Sequence, residues 1–471
     1  MKLEILSLLP GIPLTILLIT AVIVLLWQLL KQEGMALLFA CVGIMLAALM
    51  VYAPAVRELG RTDYFHNDGY SALFGVAVLL GLLLTILLNH GQYAKQGLKL
   101  SGDMLAILLL GTCGGLSLFL AKDYITFYLS LEILALSSYI LTAAARESRL
   151  ATEAAIKYFV IGAFGSGFIL LGIVFMYGAS GSLQMYGALE MSNPFALLGL
   201  GLMLFGFAFK VGLVPFHFWL PDVYQGAPTG MVAFLSGVAK IAFFFSFARF
   251  FMNYYVEGMK MAFYAVSAVA VLSMTLGNIL ALRQERLKRL LAYSSIAHGG
   301  YMMLGYLVAG QGLGFVGMMF YGLSYLLMTI LSFGLVLLMG EEGEDGDLIS
   351  KWQNIGKRCP RRALVMTIAL LSLAGIPPFL GFMAKYNILF ALINMGQLWL
   401  LAIAILNSVI ALYYYLKVIV VMYFGDEEYK GEVSSFQLLP SIAIGALTVL
   451  IVVSGIMPQW LYNLCLTTIK Q

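Results

Sequence analysis

Phe209-Lys210-Val211-Gly212-Leu213-Val214-Pro215-Phe216 closes one apolar run, and Gly375-Ile376-Pro377-Pro378-Phe379 interrupts another that carries Lys385. Both contain G-x-x-P-F. A proline inside a helix removes a backbone hydrogen bond and clashes with the preceding turn, so both helices are expected to break near mid-length, at Pro215 and at Pro377 and Pro378. In a membrane, the backbone groups freed at such breaks must find water or side chains. Two ordinary proline kinks are the bland alternative, and the lysines beside both breaks weigh against it.

Around these breaks the chain is 62% apolar and 11% charged, with a mean hydropathy of +0.96. Successive apolar runs have roughly the twenty residues that one helix needs to cross a bilayer. About fourteen are counted, near 10–30, 34–54, 70–89, 104–121, 124–144, 153–178, 195–214, 228–252, 261–282, 287–309, 313–340, 363–391, 397–424 and 437–462. The chain therefore reads as an all-α, polytopic integral membrane protein with broken helices 7 and 12 and no soluble domain. The first run lacks a convincing cleavage site and is too long for a signal-peptide core, so it reads as a retained helix. Broken helices five spans apart run in opposite directions, the pattern of inverted repeats with an ion path between them.

With fourteen spans both termini share a side. Lys and Arg divide unequally between alternate loops, 15 against 6; Lys288, Arg289, Arg361 and Arg362 belong to the richer set. The positive-inside rule places that set in the cytoplasm and both termini outside. The net charge of +4 thus reflects topology, with no nucleic-acid partner implied.

Six basic residues fall inside spans, namely Lys157, Lys210, Lys240, Lys385, Lys417 and Arg249, with one acid, Glu132. A charge at the centre of a membrane helix costs roughly 2.5 to 3.5 kcal/mol, so these residues are expected to line a wet interior path. Lys240 and Glu132 have no ionisable neighbour within their own apolar stretches. The alternative is a static buried ion pair that holds helices together. Arg249 and Lys417 lie near helix ends and are able to snorkel. For Lys157 a simple pair with Glu153 at i−4 competes with a role in transport. His298, in Tyr293-Ser-Ser-Ile-Ala-His298-Gly-Gly-Tyr301, is placed to connect neighbouring lysines, or else to pack as a hydrogen-bonded side chain. The Gly162, Gly165, Gly167 cluster lies inside a span and reads as close helix packing rather than a phosphate loop. The acidic run Glu341 to Asp347 reads as a solvated loop.

Cys41, Cys113, Cys359 and Cys465 are scattered and no histidine stands at ligand spacing, so no metal, haem, iron–sulfur or disulfide framework is indicated.

The segment Phe209-Lys-Val-Gly-Leu-Val-Pro-Phe-His-Phe-Trp-Leu-Pro-Asp222-Val-Tyr-Gln-Gly-Ala-Pro228 resembles the signature of the antiporter-like membrane subunits of respiratory complex I and of the related multisubunit cation/proton antiporters. Tyr293 to Tyr301 is similar to the N-type subunits of bacterial NADH-quinone oxidoreductase, called subunit 2 in mitochondria, more than to the L and M types. Lys385 agrees, because M-type subunits have glutamate there; 471 residues also leave no room for the lateral helix of the L type. The resemblance covers essentially the whole chain. It implies fourteen helices in an N-terminal segment (1–103), two inverted five-helix repeats (104–252 and 253–424) and a last helix (425–471). It implies proton translocation through Glu132, Lys157, Lys210, Lys240 and Lys385, with Glu132 and Lys210 as the coupling pair; His298 joins them from the reading of its polar patch. It implies no cofactor in this chain, with NADH, FMN, iron–sulfur clusters and quinone in other subunits. The implied partners are the neighbouring antiporter-like subunit M, the small subunit K and lipids, in the bacterial cytoplasmic (inner) membrane. Two alternatives remain: a sodium/proton antiporter subunit or a ferredoxin- or hydrogenase-linked relative using the same lysines, and a purely structural membrane subunit.

Overall fold

A computed structural model describes residues 11–53, 56, 62, 64–90, 100–185, 193–252, 260–310, 313–340, 346–424 and 437–470. Its helices, in chain order, are α1 (Ile12–Leu29), α2 (Glu33–Tyr52), α3 (Gly69–Asn89), α4 (Gly102–Leu120), α5 (Tyr124–Thr142), α6 (Arg149–Ser180), α7a (Pro194–Val211), α7b (Trp219–Gly226), α8 (Thr229–Met252), α9 (Lys260–Ala281), α10 (Leu287–Val308), α11 (Leu313–Leu338), α12a (Pro360–Ala374), α12b (Leu380–Asn394), α13 (Leu398–Phe424), α14 (Leu438–Ile456) and α15 (Gln459–Lys470). Among the described residues, twelve helices are long and apolar enough to cross a membrane. The two remaining expected runs coincide with α10, which carries Lys288 and Arg289 in its first turn, and with the paired halves α12a and α12b. The helix starts are chemically marked: Asp68, Ser101, Asp123, Ser148 and Asn193 each accept a backbone N–H from the first turn, as N-caps do.

Hydropathy does not reveal which helices are central. The apolar window of α8 is wholly buried and that of α11 is 94% buried, against 33% for α1, α2 and α13. A helix that is apolar all round and enclosed by others is an interior helix, so α8 and α11 form the axis of the bundle. The peripheral helices keep large apolar side chains exposed, Phe164 and Leu406 among them, as a lipid-facing surface requires.

Close approach between helices depends on glycine. A β-carbon on Gly206 of α7a would lie 2.5 Å from the Gly165 carbonyl of α6, and one on Gly172 would lie 2.8 Å from the Gly199 carbonyl. Gly300 of α10 packs in the same way on Ala270 of α9. Small residues let membrane helices pack backbone to backbone, and Gly162 and Gly165 behave as expected, whereas Gly167 meets nothing within 4 Å.

Both expected breaks are present. α7a ends at Gly212 (φ 70°) and α12a at Gly375 (φ 84°), each in the left-handed region that favours glycine. The Val214–Pro215 and Pro377–Pro378 peptide bonds are cis. Freed backbone groups find side chains: Trp219 Nε1 donates to the Phe209 carbonyl (3.1 Å), Ser273 Oγ accepts from Val214 N (3.0 Å) and Ser372 Oγ accepts from Gly381 N (3.1 Å).

Several charged residues sit differently from the expectation. Arg249 does not snorkel. Its guanidinium grips Asp68 with two N–H bonds (2.8 and 3.2 Å) and donates to Ser71 Oγ and the Phe119 carbonyl, which ties α8 to the start of α3 and the end of α4. Lys288 and Arg362, counted with the loops, are buried; they donate to the carbonyls of Ala227 (2.7 Å) and Leu338 (3.3 Å). Residues 341–345 of the acidic run lie outside the described residues, and Asp347 is buried against Arg286 (3.0 Å) instead of solvated. A helix end in a membrane has carbonyls to satisfy, and these cations satisfy them.

Candidate functional site: a line of interior charges

The broken helix α7a brings Lys210 to α5. Its ammonium lies 3.5 Å from Glu132 Oε1 and donates to the Tyr139 hydroxyl at 3.3 Å. The lysine side chain is 2% exposed and the glutamate 25%, so the cation is sealed while the carboxylate keeps some access. Ser166 of α6 donates to the same carboxylate oxygen. Glu132 therefore has two donors from two helices.

Beyond Lys210, a cavity of about 10 Å³ lies between Lys210 and Lys240. Tyr158, Trp219, Leu220, Tyr224 and Leu235 form its walls. That is about the room one water needs. Lys240 follows directly on a π-helical stretch of α8, Phe234–Ala239. The wider turn re-aims the residues that follow, and such π turns recur at functional sites. Lys240 is 4% exposed and donates to both the carbonyl (2.7 Å) and the hydroxyl (2.6 Å) of Ser295 on α10.

From Ser295 the polar side chains continue, partly by hydrogen bond and partly by ring contact. Tyr325 of α11 donates to Ser295 Oγ at 2.7 Å, and its ring lies 5.3 Å from that of His298. The imidazole of His298 has a hydroxyl on each nitrogen, Tyr321 on Nδ1 at 2.6 Å and Tyr415 on Nε2 at 3.4 Å. A neutral imidazole has one N–H and one acceptor, so this ring is able to receive a proton on one side and release one on the other. Tyr321 stacks on Tyr301 at 6.2 Å, and Lys385 stands over the Tyr301 ring at 5.0 Å from its centroid. Lys385, on α12b, donates to the Ala374 carbonyl at 2.9 Å. That carbonyl belongs to the open C-terminal end of α12a, the negative end of a helix dipole.

The structure thus brings Glu132, Lys210, Lys240, His298 and Lys385 into one interior, with a cavity, seryl and tyrosyl hydroxyls and tyrosine rings between them. Lys157 is placed elsewhere. Its side chain is 40% exposed and lies 2.7 Å from Glu153, the expected i−4 partner, and 2.8 Å from Asp222 on α7b. Asp222 also takes Arg289 of α10 at 2.8 Å. An open cavity of about 530 Å³ beside Lys157 is lined by Arg146, Glu147, Arg149, Thr152, Glu153 and Ile156. Lys417 on α13 is only partly buried.

The sequence reading missed Asp222 as a junction, Ser295 as the acceptor for Lys240, and the tyrosines 321, 325 and 415. Ser295 carried a signal as part of the polar patch around His298, and Asp222 as part of the signature segment; the three tyrosines carried none. A tyrosine is common in membrane helices, and its sequence does not say whether the hydroxyl turns inward. At the start of α3, Asp68 lies outside the helices as its N-cap. Burial alone would raise its carboxyl, but Arg249 and the Ser71 amide hold it below the usual carboxylate range.

Residues 121–411 match the family described as NADH:quinone oxidoreductase/Mrp antiporter, TM. The chain is 35% identical over 443 residues to NADH-quinone oxidoreductase subunit N of Nitrosomonas europaea, covering 92% of this chain and 90% of that one. It superposes on a chain of respiratory complex I from Thermus thermophilus with a TM-score of 0.80 at 31% identity, covering 96% and 99% of the two chains. A chain of the membrane-bound sulfane sulfur reductase, an archaeal respiratory membrane complex, matches with a TM-score of 0.87 at 26% identity, covering 99% and 97%.

Proposed function

This chain belongs to the NADH:quinone oxidoreductase/Mrp antiporter membrane family, and from that premise we propose how its buried charges move protons. It is a multi-pass, proton-translocating membrane subunit of an NADH-quinone oxidoreductase. Electron transfer to quinone takes place in other subunits and drives this one through a displacement of charge. Moving the Glu132 carboxylate toward or away from Lys210 changes how firmly that lysine holds its proton. The proton passes through the cavity to Lys240, along Ser295, Tyr325 and His298, and by way of Tyr321 and Tyr301 to Lys385, which faces the exit. Lys157 and Glu153, beside the open cavity, serve the uptake side.

The supporting observation is proximity: carboxylate, ammonium, hydroxyl and imidazole groups follow one another from Glu132 to Lys385, by hydrogen bond or ion pair at Glu132–Lys210, Lys240–Ser295–Tyr325 and Tyr321–His298, by ring contact at Tyr325–His298, Tyr321–Tyr301 and Tyr301–Lys385, and across a water-sized cavity between Lys210 and Lys240. A static pair needs two groups; this line has many, through the two innermost helices, where each buried polar group costs free energy. The proposal extends to organisation. Helices α4 to α8 (104–252) and α9 to α13 (253–424) form two inverted repeats among fourteen spans, each with a broken helix bearing a left-handed glycine and a lysine close by. Residues 1–103 precede them and α14 follows. Both termini face outward from the bacterial inner membrane, the direct neighbours are subunits M and K, and NADH, FMN, iron–sulfur clusters and quinone are held by other subunits.

The test uses purified complex in sodium-free proteoliposomes, where Lys210→Ala should abolish acidification driven by NADH while NADH oxidation continues. Unchanged acidification, or export that requires sodium, would overturn the assignment.

A further inference from the structure

α7b has two faces with different tasks. At about 100° per residue, Trp219, Leu220 and Tyr224 share one side of this helix and Asp222 and Gln225 the other. The first side walls the cavity between Lys210 and Lys240. On the second, Asp222 Oδ2 binds Lys157 of α6 and Oδ1 binds Arg289 of α10, each at 2.8 Å, and Arg289 also reaches Gln225 at 2.9 Å. At the end of the helix, Lys288 donates to the Ala227 carbonyl. An eight-residue helix does not hold itself in place. With the break at 212–218 on one side and Ala227-Pro228 on the other, its position is set by its neighbours: the buried packing of Trp219, Leu220, Val223 and Tyr224 on one side and the ion pairs of Asp222 on the other.

We propose that Asp222 is a positioning residue for proton transfer. By holding one cation from each half of the chain, it fixes α7b and with it the Trp219, Leu220 and Tyr224 wall of the cavity between the two lysines. Because the cavity takes about one water, a shift of a few tenths of an ångström in that wall decides whether the proton has a bridge. The two cations come from different helices, so relative movement of α6 and α10 is transmitted to the cavity through this carboxylate. The inference rests on the proton route given above and adds to it the element that sets the gap in that route.

The experiment uses the assembled complex in proteoliposomes with Asp222→Asn, Asp222→Glu and, as the reference for the route, Lys210→Ala. Protons exported per electron, NADH–quinone reductase rate and deuterium uptake of residues 219–226 are recorded. Asp222→Asn should lower protons per electron severalfold, less than the roughly 100-fold that a full 1 Å misplacement of reacting groups can cost, because the shift expected in the wall is a few tenths of an ångström. Reductase should stay within about twofold, and exchange in 219–226 should rise as local opening becomes easier. Asp222→Glu, which keeps the charge, should recover most of the loss. Asp222→Asn that exports protons at the wild-type ratio overturns the proposal, and so does Asp222→Glu that is as impaired as Asp222→Asn. Where Asp222→Asn does not assemble, Arg289→Gln takes its place: it removes one of the two grips, is expected to show the same split, and overturns the proposal if the ratio is unchanged. If Lys210→Ala pumps normally, the route itself is wrong; if Lys210→Ala stops pumping and Asp222→Asn does not, only the present inference falls.

Discussion

The Glu132–Lys210 pair permits a graded perturbation. At 3.5 Å, two unit charges interact by about 5 kcal/mol at an effective dielectric of about 20. Glu132→Asp shortens the side chain by one carbon–carbon bond, roughly 1.5 Å. With separation growing toward 5 Å, the coupling falls to about 3 kcal/mol. Glu132→Gln removes it altogether while keeping the shape and the oxygen that accepts from Ser166. Moving one proton against 100 mV costs about 2.3 kcal/mol, so the wild-type pair exceeds that load about twofold, the aspartate barely meets it and the glutamine cannot. The assay is export at fixed NADH turnover in proteoliposomes while the opposing membrane potential is set with potassium and valinomycin. Wild type should sustain export to the highest potential, Glu132→Asp should stall at a lower one, and Glu132→Gln should fail even without an opposing potential. Equal stalling potentials for the three proteins would refute the idea that this pair supplies the driving charge.

Two other outcomes concern the scaffold. Gly212→Ala forces φ 70° on a residue with a β-carbon that would sit 2.5 Å from Leu220 Cδ1, so the complex should lose about 1 to 3 kcal/mol, seen as a lower melting temperature of this subunit. Arg249→Gln leaves Asp68 without its guanidinium fork and should cost a few kcal/mol. Because Asp68 is held below the usual carboxylate range, the contribution of the pair is fully present above the ordinary aspartate value near 3.9 and is lost as pH falls through the lower folded value; the stability gap between wild type and Arg249→Gln should therefore be constant near neutrality and close in acid.

Much of this arrangement was legible in the sequence because the membrane imposes simple rules. Run length marked the helices, and Gly212, Pro215, Gly375 and Pro378 marked both breaks, because few residues besides glycine tolerate the left-handed cap and proline cannot continue a helix. Glu132, Lys210, Lys240 and Lys385 stood out because hydrocarbon makes each charge expensive. What hydropathy could not supply was direction. It treats α8 and α13 alike, although one is at the axis and the other keeps most of its apolar window at least partly exposed. It placed Lys288 and Arg362 in loops, since a cation at a helix end looks the same whether it reaches water or a neighbouring carbonyl. Arg249 lay 181 positions from Asp68, and Asp222 lay 65 and 67 from its two cations; partners at such separations are set by tertiary packing. Lys157 read as an interior charge because its span is apolar, but the start of α6 is open enough to leave it partly exposed.

Lys240 is the cationic link in the line, since it lines the Lys210 cavity and donates to Ser295, beside the tyrosines around His298. The decisive measurement is the number of protons exported per electron by the assembled complex carrying Lys240→Ala, recorded together with its NADH–quinone reductase rate. Export should be lost while reductase persists in the uncoupled state; export at the wild-type ratio would mean that protons travel by another path.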